Sequence, residues 1–251
     1  MPAMVDPAHV PICLISLRPA GQHDALRRAA ARRGLRLLAV SPWRLQARSD
    51  IATRLALSTA LRAPVVVFTS PMAVQAAAAL SPLGGQTRQW LAVGEGTAMA
   101  LRQAGVTAVQ TPTRMDSEGL LALPALAAAE HVGLVTAPGG RGMLAGALQQ
   151  RGARVDRADV YERLPLPLPA GVLARLQTQA GPSVLAVSSA EALQRVLGQL
   201  PADVLDRWRQ QPAIVASARL GQLARECGFV HILQAAGPRP AQMLAALDGG
   251  D

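Results

Sequence analysis

The chain has 251 residues, half of them hydrophobic and 16% charged, which suits a buried core and excludes disordered and collagen-like classes. Its net charge of +9 comes from arginine alone, since there is no lysine; such a field favours an anionic partner, while three Trp, two Phe and one Tyr leave little surface for stacking bases. No apolar run approaches the roughly 20 residues that cross a bilayer, and the opening MPAMVDPAHVPICLISLRPAG has no basic stretch ahead of its short apolar one, so a cytoplasmic protein that contacts neither membrane nor nucleic acid is expected.

The length fits two modest domains. In chain order, strand-like runs alternate with helix-like ones: ICLISL then HDALRRAAARRG, VVVFT then MAVQAAAAL, WLAV then GTAMALRQAG, VGLVT then GMLAGALQQRG, VLAV then SAEALQRVL, AIVA then ARLGQLARECG. That alternation predicts an α/β architecture of parallel sheets with crossover helices. The second half also tracks the first at a spacing of about 120 residues: Pro19 with Pro138, Gly34 with Gly152, Ser70 with Ser189, Gly94 with Ala216. Even VTAVQTPTRMDSEGLLALPAL has a counterpart in VHILQAAGPRPAQMLAAL, so one α/β domain is expected to occur twice. Two proline-bearing stretches, LRLLAVSPWRLQARSD and RVDRADVYERLPLPLP, can each carry the chain from one domain to the other.

Cys13 lies inside the first strand-like run and Cys227 at the end of a late helix, without redox or metal spacing, and both are expected as buried thiols. His9, His23, His131 and His231 are scattered, so no metal is expected.

Ligands of parallel sheets gather where strands end and helices begin, and every strand-to-helix hinge above has that position. The first amides of a helix lack internal acceptors and carry a partial positive charge, so Thr69, Ser70, Ser188 and Ser189 can cap helices, bind a carboxylate, or do both. AVGEGTAMAL lacks the third glycine and the distal acid of a dinucleotide fingerprint; Gly94 and Gly96 instead let amides approach a ligand, with the Thr97 hydroxyl in the first helical turn. APGGRGML is a similar turn with Arg141 as a carboxylate fork, and it lacks the Lys and Ser/Thr of a P-loop. Tyr161, the only tyrosine, either packs at a domain edge or donates a proton to a leaving hydroxyl. No catalytic triad, carboxylate pair or metal cluster emerges.

The ordered segments FTSPMAV, AVGEGTAMALRQAGV, DSEGLLALPAL and GGRGMLAGALQQRGARVDRADVYERLPLP, with the opening SLRPAGQHDALRRAAARRG, resemble the uroporphyrinogen-III synthase family over nearly the whole chain. The resemblance implies two similar Rossmann-like or flavodoxin-like domains joined by a two-stranded linker, residues 1–43 and 164–251 forming one and 44–163 the other, with crossings near 41–50 and 158–169. It implies a cofactor-free enzyme that cyclises hydroxymethylbilane, four pyrroles each bearing an acetate and a propionate, with loss of water and inversion of the last ring; a monomer is expected. It implies Tyr161 as the group assisting hydroxide departure, Thr97 as a cleft threonine, and Ser70 with Ser188 or Ser189 as hydroxyls lining the cleft; Arg18, Thr69, Gly94, Arg141 and Ser217 are further expected on the substrate. Where the family often carries Gly-Pro-Thr-Thr, this chain has Ala216, Ser217, Ala218 and Arg219. The rival readings are a two-domain anion-binding module without turnover and a nucleic-acid-binding protein; the arginines, spread over many helices and mostly near their ends, fit the latter poorly.

Overall fold

A computed structural model describes residues 12–84, 88–114, 117–139, 142–179 and 181–249. In chain order the elements are β1 (Cys13–Ser16), α1 (Asp24–Ala31), β2 (Arg36–Ala39), β3 (Trp43–Ala47), α2 (Ile51–Ala60), β4 (Val65–Phe68), α3 (Pro71–Leu80), β5 (Gln89–Ala92), α4 (Glu95–Gln103), β6 (Val109–Gln110), α5 (Ser117–Leu121), α6 (Pro124–Ala127) and β7 (His131–Thr136). There follow α7 (Gly142–Gln150), β8 (Arg154–Asp159), β9 (Tyr161–Pro165), α8 (Ala170–Thr178), β10 (Ser183–Val187), α9 (Ala190–Leu197), α10 (Ala202–Arg209), β11 (Ala213–Val215), α11 (Ala218–Glu226), β12 (Ile232–Gln234) and α12 (Pro240–Ala245). Among the described residues no helix is long and apolar enough to cross a membrane. The chain divides into two compact units, Met1–Arg44 with Pro165–Asp251 (unit 1), and Leu45–Leu164 (unit 2).

Unit 2 is built on a parallel sheet of order β6-β5-β4-β7-β8. Its centre, VVVF in β4, is buried on both faces, which is why the sequence there is continuously apolar instead of alternating. The period of two sends Val66 and Phe68 to a core shared with Leu57, Ala73, Val74, Trp90 and Leu101, and sends Val65 and Val67 to a second core with Leu91, Leu134, Leu144 and Leu148. Full burial of each such aliphatic side chain stabilises by roughly 1.5–3 kcal/mol. The helix α2, capped by the Asp50 carboxylate on the Thr53 N–H at 2.9 Å, packs on β7 and β8. Gly133 in β7 makes that approach possible, because a Cβ there would fall on the Ala60 carbonyl.

Unit 1 carries a second parallel sheet of order β12-β11-β10-β1-β2, with a core of Leu14, Leu26, Ala30, Val184, Ala186, Ile214, Met243 and Leu244. Arg33 joins α1 to the C-terminal helix, donating to the Leu244 carbonyl at 2.6 Å and forking onto Asp248 at 2.9 and 3.0 Å. Cys13 is buried in β1, but Cys227 is only half-buried: it is the C-cap of α11, where the helix runs out toward solvent, and the expectation of two buried thiols is corrected for it. Burial raises the pKa of both.

The two sheets are cyclic permutations of one design. Numbered in chain order within its unit, the sheet of unit 2 reads 3-2-1-4-5, the order of a Rossmann half. That of unit 1, read from its β2 edge, is 2-1-3-4-5, the flavodoxin order. Equivalent positions pair β4 with β10, β5 with β11, β7 with β1 and β8 with β2, which is the structural form of the repeat seen in the sequence. The link is a two-stranded ladder of β3 and β9, bracketed by hydrogen bonds from the Arg48 N–H to the Val160 carbonyl and from the Leu166 N–H to the Pro42 carbonyl.

Candidate functional site

In unit 2 the chain order reverses between β4 and β7, and crevices for ligands open at the carboxyl ends of strands at such a reversal. Four hydroxyls meet there. The Thr69 side chain, just past β4, hydrogen-bonds that of Thr136, the last residue of β7, at 2.8 Å, and the Thr69 N–H reaches the Val135 carbonyl at 3.2 Å. The Ser70 hydroxyl accepts from the Ala73 N–H at 3.1 Å, capping α3 ahead of Pro71, and is hydrogen-bonded to the Tyr161 phenol at 3.1 Å. Tyr161 follows β8 directly after Val160, whose N–H bonds the Thr136 carbonyl at 3.0 Å, so the phenol reaches over the end of β7 to Ser70. Tyr161 is 6% exposed, packed in the core that holds Phe68, Ala73 and Val160.

One strand further, Gly94 is buried at the N-cap of α4, its carbonyl accepting from the Thr97 and Ala98 N–H groups, and Thr97 is buried in the first turn. The φ of Gly94, −177°, is ordinary extended backbone, and a Cβ on Gly96 would meet only the Pro71 ring at 3.8 Å, so neither position demands glycine on backbone geometry or, at Gly96, on space. Arg141 lies outside the described residues. Sequence reasoning passed over Thr136, although a polar residue closing the apolar run HVGLVT is the same signal that singled out Thr69 after VVVF. It also passed over Arg157, which donates to the Ala137 carbonyl at 3.0 Å and pairs with Asp159.

The corresponding reversal in unit 1 lies between β10 and β1. Ser189 caps α9 through the Ala192 N–H at 3.3 Å, and Ser188 beside it is exposed. Arg18, just past β1, is half-buried and donates to the Pro238 carbonyl at 3.0 Å; loss of solvent lowers its pKa from the ordinary guanidinium value. Ser217 caps α11 after the next strand, through the Leu220 N–H at 3.4 Å. Between α9 and α11 runs a groove of about 330 Å³ lined by Ala190, Gln194, Arg219 and Gln222 among others.

The carboxyl edge of unit 1 also holds a polar cluster absent from the sequence reading. His23, buried ahead of α1, has Nδ1 2.9 Å from the hydroxyl of fully buried Ser16 and Nε2 2.8 Å from that of Ser41. Burial, with Arg27 and Arg18 nearby, lowers its pKa to about 4, so the imidazole is neutral. His131 instead pairs with Asp156 at 2.6 Å at the opposite end of the unit 2 sheet. Asp156 is partly desolvated, which works against ionisation, but hydrogen bonds from His131 and Arg154 hold its pKa below the usual carboxylate value. Among the described residues no His, Cys, Asp or Glu cluster could hold a metal.

Thus Ser70 and Tyr161 are brought into contact, while Thr69, next to Ser70 in the chain, is bonded to Thr136. Gly94 with Thr97, and Ser217, stand one strand away from the reversals of their own units, while Arg18, Ser188 and Ser189 flank that of unit 1. Comparison with known proteins gives a consistent picture. The uroporphyrinogen-III synthase HemD family model matches residues 17–245. The uroporphyrinogen-III synthase of Salmonella typhimurium is 32% identical over 148 residues, 57% of this chain and 60% of that protein; its Escherichia coli counterpart is 30% identical over 164 residues, 61% and 67% of the two chains. The matched region therefore spans about three-fifths to two-thirds of these relatives. In fold, the chain is similar to uroporphyrinogen III synthase from Thermus thermophilus, with TM-score 0.62 and 18% identity over 95% of this chain and all of that one. It is similarly related to uroporphyrinogen-III synthetase from Helicobacter pylori, with TM-score 0.61 and 16% identity over 94% and 99%. Because the family match runs through both parallel sheets and the ladder that links them, the chain belongs to the uroporphyrinogen-III synthase family.

Proposed function

We propose that this chain converts hydroxymethylbilane to uroporphyrinogen III, acting as a cytoplasmic monomer without a cofactor. The observation that carries the reading is the contact of the only tyrosine with Ser70 at the chain reversal of unit 2, in a family whose reaction begins with the loss of a hydroxyl group. The Tyr161 phenol gives its proton to the departing hydroxyl, which leaves as water. The electron-poor terminus that remains is attacked by the last pyrrole at the less obvious carbon, giving the spiro intermediate. Ring opening and reclosure then invert that pyrrole, and the proton shed when the macrocycle closes returns to the phenolate.

Because the linear substrate closes spontaneously without inversion, the protein's larger task is to hold it. Each unit offers donors for the substrate's carboxylates at the carboxyl edge of its own sheet, Thr97 and the helix amides beside it in unit 2, and Arg18, Ser188, Ser189 and Ser217 in unit 1. A preorganised grip of this kind converts orientation into rate without a nucleophile or a metal. The test is to add the protein to freshly generated hydroxymethylbilane, oxidise the products and separate the uroporphyrin isomers. The reading predicts isomer III; saturable ligand binding with isomer I alone would transfer it to the anion-binding module.

A further inference from the structure

Ser70 has a single hydroxyl proton, and two neighbours compete for what it can do. Its oxygen accepts the Ala73 N–H at 3.1 Å and lies 3.1 Å from the Tyr161 phenol oxygen, a contact in which either hydroxyl can be the donor. A hydroxyl donates once and accepts twice, so a Ser70 that donates to the phenol has no proton left for a substrate carboxylate. That polarity leaves the phenol proton of Tyr161 uncommitted. The reverse polarity, phenol to Ser70, would tie up the one proton the reaction needs.

We propose that Ser70 is a positioning residue that sets the polarity of the Tyr161 phenol, accepting from the backbone on one side and donating to the phenol oxygen on the other, so that Tyr161 presents its proton to the leaving hydroxyl. The proposal rests on the functional reading above and gives Ser70, expected from the sequence to hold substrate, a role that acts through Tyr161. Three features of the fold sustain the geometry. Pro71 in the first turn of α3 restricts the Ser70 backbone to the extended conformation seen, with φ −163° and ψ 158°. Burial of the Tyr161 ring in the Phe68 core fixes the phenol position. The Val160 N–H on the Thr136 carbonyl fixes the start of β9 against β7. When the phenol proton departs, the Ser70 donor already faces the oxygen that becomes charged, and no reorganisation is needed at that moment.

The test is a cycle of Ser70→Ala, Tyr161→Phe and the double variant, read as kcat and KM for isomer III, with Ser70→Gly and Ser70→Thr alongside. Ser70→Ala is expected to lower kcat about tenfold, less than the roughly hundredfold or more that loss of a general acid costs, with KM little changed. In the Tyr161→Phe background the same substitution is expected to change kcat by less than twofold, because the group it serves is gone. Ser70→Gly removes the hydroxyl while losing little of the helix cap, and is expected to repeat the kcat loss in a protein that melts near the wild type. Ser70→Thr restores the donor and most of the rate.

An equal loss in both backgrounds, or a loss that falls on KM, would overturn the proposal and return Ser70 to substrate binding. Raman spectra without substrate separate this from failure of the functional reading. The Fermi doublet of the single tyrosine reports the hydrogen bonding of its phenol, and it is expected to change in Ser70→Ala and to recover in Ser70→Thr. A doublet unmoved by Ser70→Ala overturns the Ser70 assignment whatever the enzyme makes, whereas isomer I from the wild type overturns the reaction and not the contact.

Discussion

Acidification is expected to weaken unit 1 through one buried imidazole. His23 has an ordinary pKa of 6.5 and is held at about 4 in the fold, because burial and the charges of Arg27 and Arg18 disfavour its protonated form more than Asp24 favours it. The neutral ring is therefore the form the structure is built for, with both nitrogens occupied by Ser16 and Ser41. Above the unfolded pKa the ring is neutral in both states and folding loses nothing. As the pH falls through 6.5 the unfolded chain takes up a proton that the folded one refuses, and stability declines until the folded pKa is reached. The shift of 2.5 units is worth about 3 kcal/mol, of which about 2 kcal/mol is already lost by pH 5. Against a typical stability of about 5–15 kcal/mol this is a large share. Asp50 and Asp156, whose folded pKa values lie below their ordinary ones, lose their contribution only as the pH falls through and below 3.8, so the window from 6.5 to 4 belongs to His23. The assay is urea unfolding at a series of pH values from 7 to 4.5 for the wild type and His23→Gln, whose amide keeps a hydrogen-bonding partner for the serines but does not titrate. The two stability curves are expected to converge or cross as the pH falls, the wild type losing about 2–3 kcal/mol relative to the variant. Curves that stay parallel over that range would refute the reasoning.

Other consequences are as open to measurement. Tyr161→Phe is expected to lower kcat by roughly a hundredfold or more while leaving the melting temperature close to that of the wild type, since the ring packing remains; unchanged turnover would return Tyr161 to a packing role. Ser189→Ala removes the cap of α9 and is expected to destabilise by about 1 kcal/mol in chemical denaturation, with Ser189→Asp recovering most of it. Gly133→Ala drives a methyl into the Ala60 carbonyl and is expected to abolish soluble, cooperatively folded protein, so a variant that melts like the wild type would contradict the packing of α2 on β7. Native thiol labelling near neutral pH is expected to modify Cys227 well before Cys13, both slowly because burial raises the pKa of each thiol.

The parallel sheets were legible because their central strands declare themselves. VVVF and SVLAV are uninterrupted β-branched and apolar runs, each closed by a hydroxyl that caps the helix to follow, so strand, hinge and helix can be read from about 14 letters. The helix α2 was not, because Ile51 and Leu55 are exposed and blur its apolar face, and its start is set by the Asp50 cap instead. The stretches at the link read as single strand-like runs ending in proline, whereas each folds as two strands, β2 with β3 and β8 with β9. The break falls where Pro42 and Val160 turn the chain from a sheet into the ladder. Within the site, hydroxyls following strands were visible one at a time, but which of them touch was not. The meeting of Ser70 with Tyr161, and of Thr69 with Thr136, depends on β4, β7 and β8 lying side by side, a fact of topology that no local spacing encodes. The same is true of the Ser16–His23–Ser41 cluster, whose three residues close on one another only when β1 and β2 pair.

The measurement that bears most directly on the central claim is the partition of hydroxymethylbilane between enzymic and spontaneous closure. Fresh substrate is divided among increasing concentrations of the wild-type protein, each sample is oxidised at completion, and the fraction of uroporphyrin III is determined. A protein that orients the last pyrrole for inversion predicts a fraction of isomer III that rises with protein concentration toward completeness, against isomer I in the protein-free control. Isomer I at every concentration would contradict the account.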